Sequence, residues 1–146
     1  GAKPGWTRAE SAGLSIGPVL ARYGEAAQGP GGVMHALRFT VQNTRMAYVP
    51  PANHWASSST DPSLPPMGMR VRLKSSFVIP AGFSPESRAL LTAMQVYGMF
   101  VADNGDDWRV SGAPDSRWNN NVLRGELVQV LGSNFEVVRM DGLVSG

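Results

Sequence analysis

Residues 34–41 decide the expected fold, and they read Met34-His35-Ala36-Leu37-Arg38-Phe39-Thr40-Val41. Successive side chains of a β-strand point to opposite faces, so the odd-numbered positions of this stretch share one face. The apolar residues at 37, 39 and 41 are therefore predicted to face the core, with His35 at the edge of that face. Arg38 and Thr40 are predicted to point the other way. The stretch indicates a half-buried strand.

Two further strands are predicted to form the centre of the domain with residues 34–41. Residues 68–74 alternate between an apolar face and a basic face that carries Arg70, Arg72 and Lys74. Residues 99–103 are a short apolar run that enters a turn of Asp, Asn and Gly. The three segments together predict a β-rich core.

The remaining strands are predicted from shorter signals. Residues 45–49 are expected to pair back on the strand at 34–41 after a turn at 42–44. Residues 108–111 are expected to return as a hairpin against 99–103, because an Asn-Gly turn lies between the two runs. A last strand is predicted at residues 135–138.

One helix stands out, and two shorter ones are expected. Ser84 is a good N-cap and Pro85 suits the first helical position, so a helix is predicted over residues 85–97, ending at Gly98. A capping box predicts one or two turns at 7–13, and residues 119–127 resemble a second short helix. We therefore expect a mainly β fold, an antiparallel sandwich or barrel, with one well-defined helix and one or two short helices.

Composition narrows the function classes. The 146 residues fit a single domain, and only 16% of them are charged, below the usual value of about a quarter. The chain has no cysteine, which excludes disulfides, thiolate zinc sites, iron–sulfur clusters and thiol nucleophiles. The net charge of +2 comes without a dense basic cluster, so nucleic acid is not an expected partner. No apolar run approaches the ~20 residues of a membrane-spanning helix, so no membrane is expected either.

Four runs carry a resemblance to a known group of proteins: His-Ala-Leu-Arg-Phe-Thr (35–40), Leu-Pro-Pro-Met-Gly (64–68), Tyr-Gly-Met-Phe-Val-Ala-Asp-Asn-Gly (97–105) and Ser-Gly-Ala-Pro-Asp-Ser-Arg-Trp (111–118). Together they resemble the C-terminal half of a group of uncharacterised exported bacterial β-rich proteins. The resemblance implies a secreted or extracytoplasmic location. It also implies that the domain, residues 1–146, is the C-terminal part of a longer protein whose N-terminal segment acts as a partner.

Tryptophans are the first candidates for a binding site, since an exposed indole in a rigid loop can stack on the apolar face of a sugar ring. Trp55 beside His54, and Trp118 beside Asp115, are the predicted cleft residues. Buried core positions are the alternative for any of the four tryptophans, which are Trp6, Trp55, Trp108 and Trp118. The residues predicted to bond substrate hydroxyls or carboxylates are Arg38, Arg72, Asp103 and Asp115. The two arginines lie either on a basic sheet face or on an ordinary solvated one.

Carboxylates are the candidates for catalysis. Glycoside hydrolysis needs two of them about 5–10 Å apart, and Asp103, Asp115 and Glu25 are the candidates. His35 and His54, the two histidines of the chain, are an alternative pair that could hold a catalytic metal. A Ser-His-Asp triad is chemically possible and ranks below these two hypotheses.

No cofactor is expected, with one alternative. Asp103, Asp106 and Asp107 surround Gly105 and offer oxygen ligands to Ca²⁺, although the closing glutamate of an EF-hand is missing. An ordinary solvated hairpin turn is the other interpretation of these residues.

We therefore expect an exported domain that binds polysaccharide or oligosaccharide. A polysaccharide-active glycoside hydrolase, or part of one, is the second hypothesis, and the residues leave open whether the chain is an enzyme. The third hypothesis is a structural domain whose basic face docks the N-terminal partner segment.

Overall fold

The structure is a computed structural model that describes residues 20–50, 52, 55, 57–104, 109–110, 112–139 and 142–146. In chain order the described elements are α1 (Tyr23–Ala26), β1 (Leu37–Val41), β2 (Ala47–Tyr48), β3 (Arg70–Leu73), α2 (Pro85–Val96), β4 (Met99–Asn104), β5 (Arg109–Val110), α3 (Asn120–Leu127), β6 (Phe135–Arg139) and β7 (Val144–Ser145). The predicted helix at 7–13 lies outside the described residues. Among the described residues no helix is both long enough and apolar enough to cross a membrane.

The larger sheet has the strand order β5-β1-β4-β3-β6. Its central strand β4 runs parallel to β1, with Leu37 opposite Met99, and antiparallel to β3, with Val71 also opposite Met99. The pairs β3–β6 and β1–β5 are antiparallel as well. β2 and β7 form a separate antiparallel pair.

The fold is therefore mixed α/β, and the prediction of a mainly β antiparallel sandwich or barrel holds only in part. The well-defined helix is present as α2 and the short helix predicted at 119–127 is present as α3, whereas α1 was not predicted; the described strands form no closed barrel. The difference arises at β4, whose residues 99–102 are all buried. A continuous apolar run of this kind suits a central strand covered on both faces and allows a parallel neighbour.

Two predicted strand pairings are wrong. β2 pairs with β7 instead of β1, because the two residues that precede β2 are hydrogen-bonded to the long loop. Arg45 N donates to Pro65 O (2.9 Å) and Met46 N donates to Ser59 O (2.6 Å). β5 pairs with β1, through Phe39 and Val110, instead of forming a hairpin with β4. The reason is that both edges of β4 are already occupied, by β1 and β3.

The predicted core face of β1 is confirmed. Leu37, Phe39 and Val41 are buried, and the helix α2 packs its buried residues Leu90 and Leu91 into the same cluster. Thr40, on the opposite face, is also buried, so that face is partly covered.

The start and the end of α2 are as the sequence predicts. Ser84 Oγ accepts a hydrogen bond from Ser87 N at 3.2 Å, and Pro85 occupies the first helical position. Gly98 follows the helix with a φ of 82°, a left-handed conformation that favours glycine. The helix thus ends at a turn that leads directly into β4.

Candidate functional site

An open groove lies where the chain enters α3. It is lined by residues 116–121 and has a volume of about 520 Å³. Asn119 caps the helix, since its Oδ1 accepts the Val122 N–H at 3.2 Å, and this leaves Asn120 and Asn121 exposed on the first turn. We call this site the asparagine groove; its wall consists of Ser116, Arg117, Trp118, Asn119, Asn120 and Asn121.

Trp118 is held firmly in the groove wall. Its Nε1 donates to Ala113 O at 2.9 Å, and its ring meets the Tyr23 ring edge-on, with centroids 5.2 Å apart. Gly112 lies against the indole so closely that a Cβ at this position would be 3.0 Å from Cζ2. The indole is therefore half-buried and oriented by its neighbours before any ligand arrives.

Asp115 and Arg117 form a bidentate ion pair next to Trp118. Arg117 Nε donates to Oδ1 at 3.0 Å and Nη2 donates to Oδ2 at 2.8 Å, while Arg117 N also donates to Oδ1 at 2.9 Å. These hydrogen bonds lower the pKa of Asp115 to about 2. The guanidinium carbon of Arg117 lies 4.6 Å from the centre of the Tyr23 ring, a cation–π contact.

Glu25 and His35 form a second pair, at α1. Glu25 Oε1 lies 3.2 Å from His35 Nε2 and also accepts the Arg22 N–H at 2.9 Å. The other ring nitrogen of His35, Nδ1, lies 2.9 Å from Ala36 O. Both side chains thus contribute to holding α1, which carries Tyr23 against the asparagine groove.

The three predicted catalytic carboxylates have different partners in the structure. Asp103 lies near the end of β4, opposite Thr40, and its Oδ1 accepts the Asn104 N–H at 2.8 Å. Within the described part of the chain, no hydrogen bond or ion pair joins Asp103, Asp115 and Glu25 to one another. Their catalytic role remains a prediction.

The metal hypotheses rest largely on residues that the structure does not describe. His54, Asp106 and Asp107 lie outside the described residues, as do the tryptophans at positions 6 and 108. Among the side chains that are described, no three of His, Asp or Glu lie close enough to hold a metal ion. The calcium and histidine-metal alternatives therefore stay predictions.

Trp55 forms an aromatic pair away from residues 116–121. Its ring stacks on Tyr48 of β2, with centroids 5.9 Å apart and planes 29° apart, and 36% of Trp55 is exposed. Stacking on a strand residue supports one side of the indole. Trp55 is therefore a second, partly exposed aromatic surface, and its predicted role as a cleft residue stays a prediction.

The predicted basic face is present on the larger sheet. Arg38 and Arg70 both lie opposite Phe100, so the three share one face across β1, β4 and β3. Its charge is partly compensated, because Arg72 Nη2 pairs with Glu136 Oε1 at 3.0 Å. Neither Arg38 nor Arg72 lines the asparagine groove.

A more apolar groove, which the sequence analysis missed, lies between the sheet and the proline-rich loop. Its volume is about 530 Å³, and Arg45 helps to hold the loop there by donating from Nε to Leu64 O at 3.2 Å. The feature of the sequence that could have indicated this groove is the group of prolines within residues 62–66. The lining is Phe39, Val41, Asn43, Arg45, Pro62, Ser63, Leu64, Pro65, Pro66, Met69 and Val137.

The amide side chains of the asparagine groove were not among the predicted site residues. Asn119, Asn120 and Asn121 follow Trp118 directly, so the run of three asparagines was a visible signal. Tyr23, which supports both Trp118 and Arg117, had no such signal because it comes from the distant helix α1.

No family model matches the chain, and the searches of curated proteins and of solved structures found no significant match. The resemblance to exported bacterial proteins therefore stays an expectation from the four sequence runs.

Proposed function

We propose that this chain is a carbohydrate-binding domain whose asparagine groove holds a polysaccharide or oligosaccharide. The observation that carries the proposal is the composition of the groove: a fixed indole next to amide, hydroxyl and guanidinium groups. A sugar offers apolar C–H faces that pack on an indole and hydroxyls that both donate and accept. Asparagine side chains also donate and accept, which suits them to such hydroxyls.

The fixed position of Trp118 supports a binding role. Its hydrogen bond to Ala113 O and its contact with Tyr23 hold the indole in place, so little side-chain freedom is lost when a ligand stacks on it. Trp55, stacked on Tyr48, offers a second surface for a longer chain. The extracytoplasmic location that the resemblance implies would expose both surfaces to polysaccharides.

The ionisation state of Asp115 limits the role that it could have in hydrolysis. A glycoside hydrolase needs one carboxylic acid that stays protonated near neutral pH. The hydrogen bonds from Arg117 lower the pKa of Asp115 to about 2, so this carboxyl is ionised near neutral pH. This state suits Asp115 only to the role of ionised nucleophile or base, so the hydrolase hypothesis needs Asp103 or Glu25 as the protonated acid.

The basic sheet face keeps the docking hypothesis as a further candidate. Arg38 and Arg70 share this face on either side of Phe100, and an acidic partner segment would complement them. The ion pair between Arg72 and Glu136 reduces the free charge, so we rank docking below carbohydrate binding.

The test is incubation of the purified chain with a panel of neutral and acidic plant and bacterial polysaccharides. Depletion of the protein from solution measures binding, and release of reducing ends measures hydrolysis. The double variant Asn120→Ala/Asn121→Ala should weaken binding roughly tenfold or more, because it removes two sets of hydrogen bonds to ligand. Asn43→Ala is the matched control, since Asn43 is an exposed asparagine of the other groove, and it should leave binding unchanged.

Each outcome separates the hypotheses. Binding that is lost in the double variant and kept in Asn43→Ala supports the proposal. Absence of binding to every polysaccharide, or equal binding by both variants and the wild type, would overturn it. Release of reducing ends would instead favour the hydrolase and direct mutagenesis to Asp103 and Glu25.

A further inference from the structure

The charge of the asparagine groove comes from a single lining residue. All six residues that line the groove are described, and Arg117 is the one charged residue among them, with 64% of its side chain exposed. A lone exposed arginine next to a tryptophan would ordinarily attract carboxylated or sulfated sugars, because its fork matches such oxyanions.

Asp115 already occupies one of the two bidentate edges of this guanidinium. The donors Nε and Nη2 of Arg117 are both used, at 3.0 and 2.8 Å, by the two oxygens of one carboxylate. One face of the guanidinium also lies over the Tyr23 ring, at 4.6 Å. An anionic sugar would therefore have to displace Asp115 from this edge, or approach the Nη1/Nη2 edge and meet the negative charge of the paired carboxylate.

We infer, on the basis of the proposed function, that the asparagine groove selects neutral glycans over carboxylated or sulfated ones, and that Asp115 sets this selectivity by neutralising Arg117. Asp115 is thus a specificity-determining residue that acts through Arg117 and needs no contact of its own with the ligand. Because its pKa is about 2, the pair persists at neutral and mildly acidic pH.

The N-terminus of α3 is the feature that opposes this selectivity. A helix N-terminus attracts anions through its free N–H groups and its dipole. In this groove the Val122 N–H is taken by Asn119 Oδ1, at 3.2 Å. The affinity for carboxylated polymers, compared with that for neutral ones, shows whether the helix N-terminus or the neutralisation of Arg117 by Asp115 has the larger effect.

The test compares polymers that share a backbone and differ in charge. The probes are polygalacturonan in its methyl-esterified and de-esterified forms, and cellulose as its hydroxyethyl and carboxymethyl derivatives. Wild-type protein should bind the neutral member of a pair at least about tenfold more tightly, the fold-change associated with one charge-assisted hydrogen bond.

Asp115→Asn should remove most or all of this preference. Its amide oxygen can still accept the Arg117 N–H, but the guanidinium is no longer neutralised, so affinity for the carboxylated member should rise about tenfold. Affinity for the neutral member should change less than about twofold, and the gain should shrink with added salt.

Asp61→Asn is the matched control. Asp61 accepts hydrogen bonds from Ser63 N and Ser63 Oγ at 2.9 and 2.8 Å, so it also sits in a short polar turn and gives the same change in net charge. It lies outside the asparagine groove and should not alter the preference.

The inference fails if wild-type protein prefers the carboxylated polymers, or if Asp115→Asn gains no affinity for them. It also fails if Asp61→Asn produces the same gain, since net charge alone would then explain it. In each of these cases the neutral polymers would still bind and Asn120→Ala/Asn121→Ala would still weaken that binding. Failure of the proposed function would instead abolish the binding or its dependence on these two asparagines.

Discussion

At the scale of single residues, Glu126 shows how one carboxylate joins two helices. It accepts hydrogen bonds from Ser84 N at 2.8 Å, from Ser84 Oγ at 2.7 Å and from Ser87 Oγ at 2.7 Å. Burial raises the pKa of Glu126, but the hydrogen bonds from the two serines outweigh burial and lower it overall. The side chain belongs to α3 and completes the N-terminal cap of α2, where negative charge is favourable.

Glu126→Gln should lower the free energy of unfolding by about 1–2 kcal/mol, because it removes the charge and one acceptor from this network. Urea denaturation followed by circular dichroism measures the change. Glu136→Gln is the control: Glu136 forms an exposed ion pair with Arg72, which is worth at most about 0.5 kcal/mol. Equal effects of the two substitutions would contradict the assigned role of Glu126.

The pH dependence of stability follows from Asp115. Its pKa is lowered from 3.8 to about 2 in the folded chain. The ionised carboxylate therefore makes its full contribution to stability when the pH is above the pKa of the unfolded chain. This contribution is lost as the pH falls from the pKa of the unfolded chain to that of the folded chain, that is, between about pH 4 and pH 2. Thermal unfolding at pH 5, 4, 3 and 2 should show a smaller loss for Asp115→Asn than for wild type, and parallel curves would refute this.

The sequence could predict those residue-level features that are local. The Ser84 cap lies next to the helix it begins, and Asp115, Arg117 and Trp118 lie within four positions of one another. Glu126 could not be predicted as a cap partner, because its contact with Ser84 spans 42 residues. Carboxylate pairing for catalysis has the same difficulty, since spacing along the chain does not fix distance in space.

At the scale of elements, the junction between α2 and β4 depends on a glycine. Gly98 has a φ of 82°, and a Cβ at this position would lie 2.7 Å from Val71 O on β3. Gly98→Ala should therefore cost about 1–3 kcal/mol, through backbone strain and the clash with that carbonyl.

Gly125→Ala should have the opposite sign. Gly125 lies inside α3, and a Cβ there would meet no atom within 4 Å, so the substitution should stabilise the chain by about 0.5–1 kcal/mol. Chemical denaturation of both variants tests the pair. Destabilisation by both, or by neither, would contradict the conformations assigned to these two glycines.

The sequence predicted elements better than it predicted their partners. Alternation located β1 and β3 because the period of two is a local property of the side chains. The partners of β2 and β5 were wrong, since pairing depends on which edges remain open once β4 lies between β1 and β3. The helix α1 was missed because its four residues carry no apolar period.

At the scale of the whole molecule, α2 and the sheet should unfold as one unit, since their buried residues belong to one cluster. Leu91→Ala should cost about 2–5 kcal/mol, because it leaves a cavity at a fully buried position. Val96→Ala, on the same helix but 63% exposed, should cost less than about 0.5 kcal/mol. Tryptophan fluorescence and circular dichroism should give the same midpoint for each variant, and separate midpoints would disprove a single cooperative unit.

The placement of β4 also governs the order in which the chain can fold. β1 emerges early during synthesis, yet its parallel partner is β4, and β3 has to wait for the same strand. Until the ribosome has delivered residues 99–104, the apolar side of β1 has no sheet to join. Loop closure over such separations is slow, so nascent chains that end before Met99 should be clients of chaperones and targets of proteases.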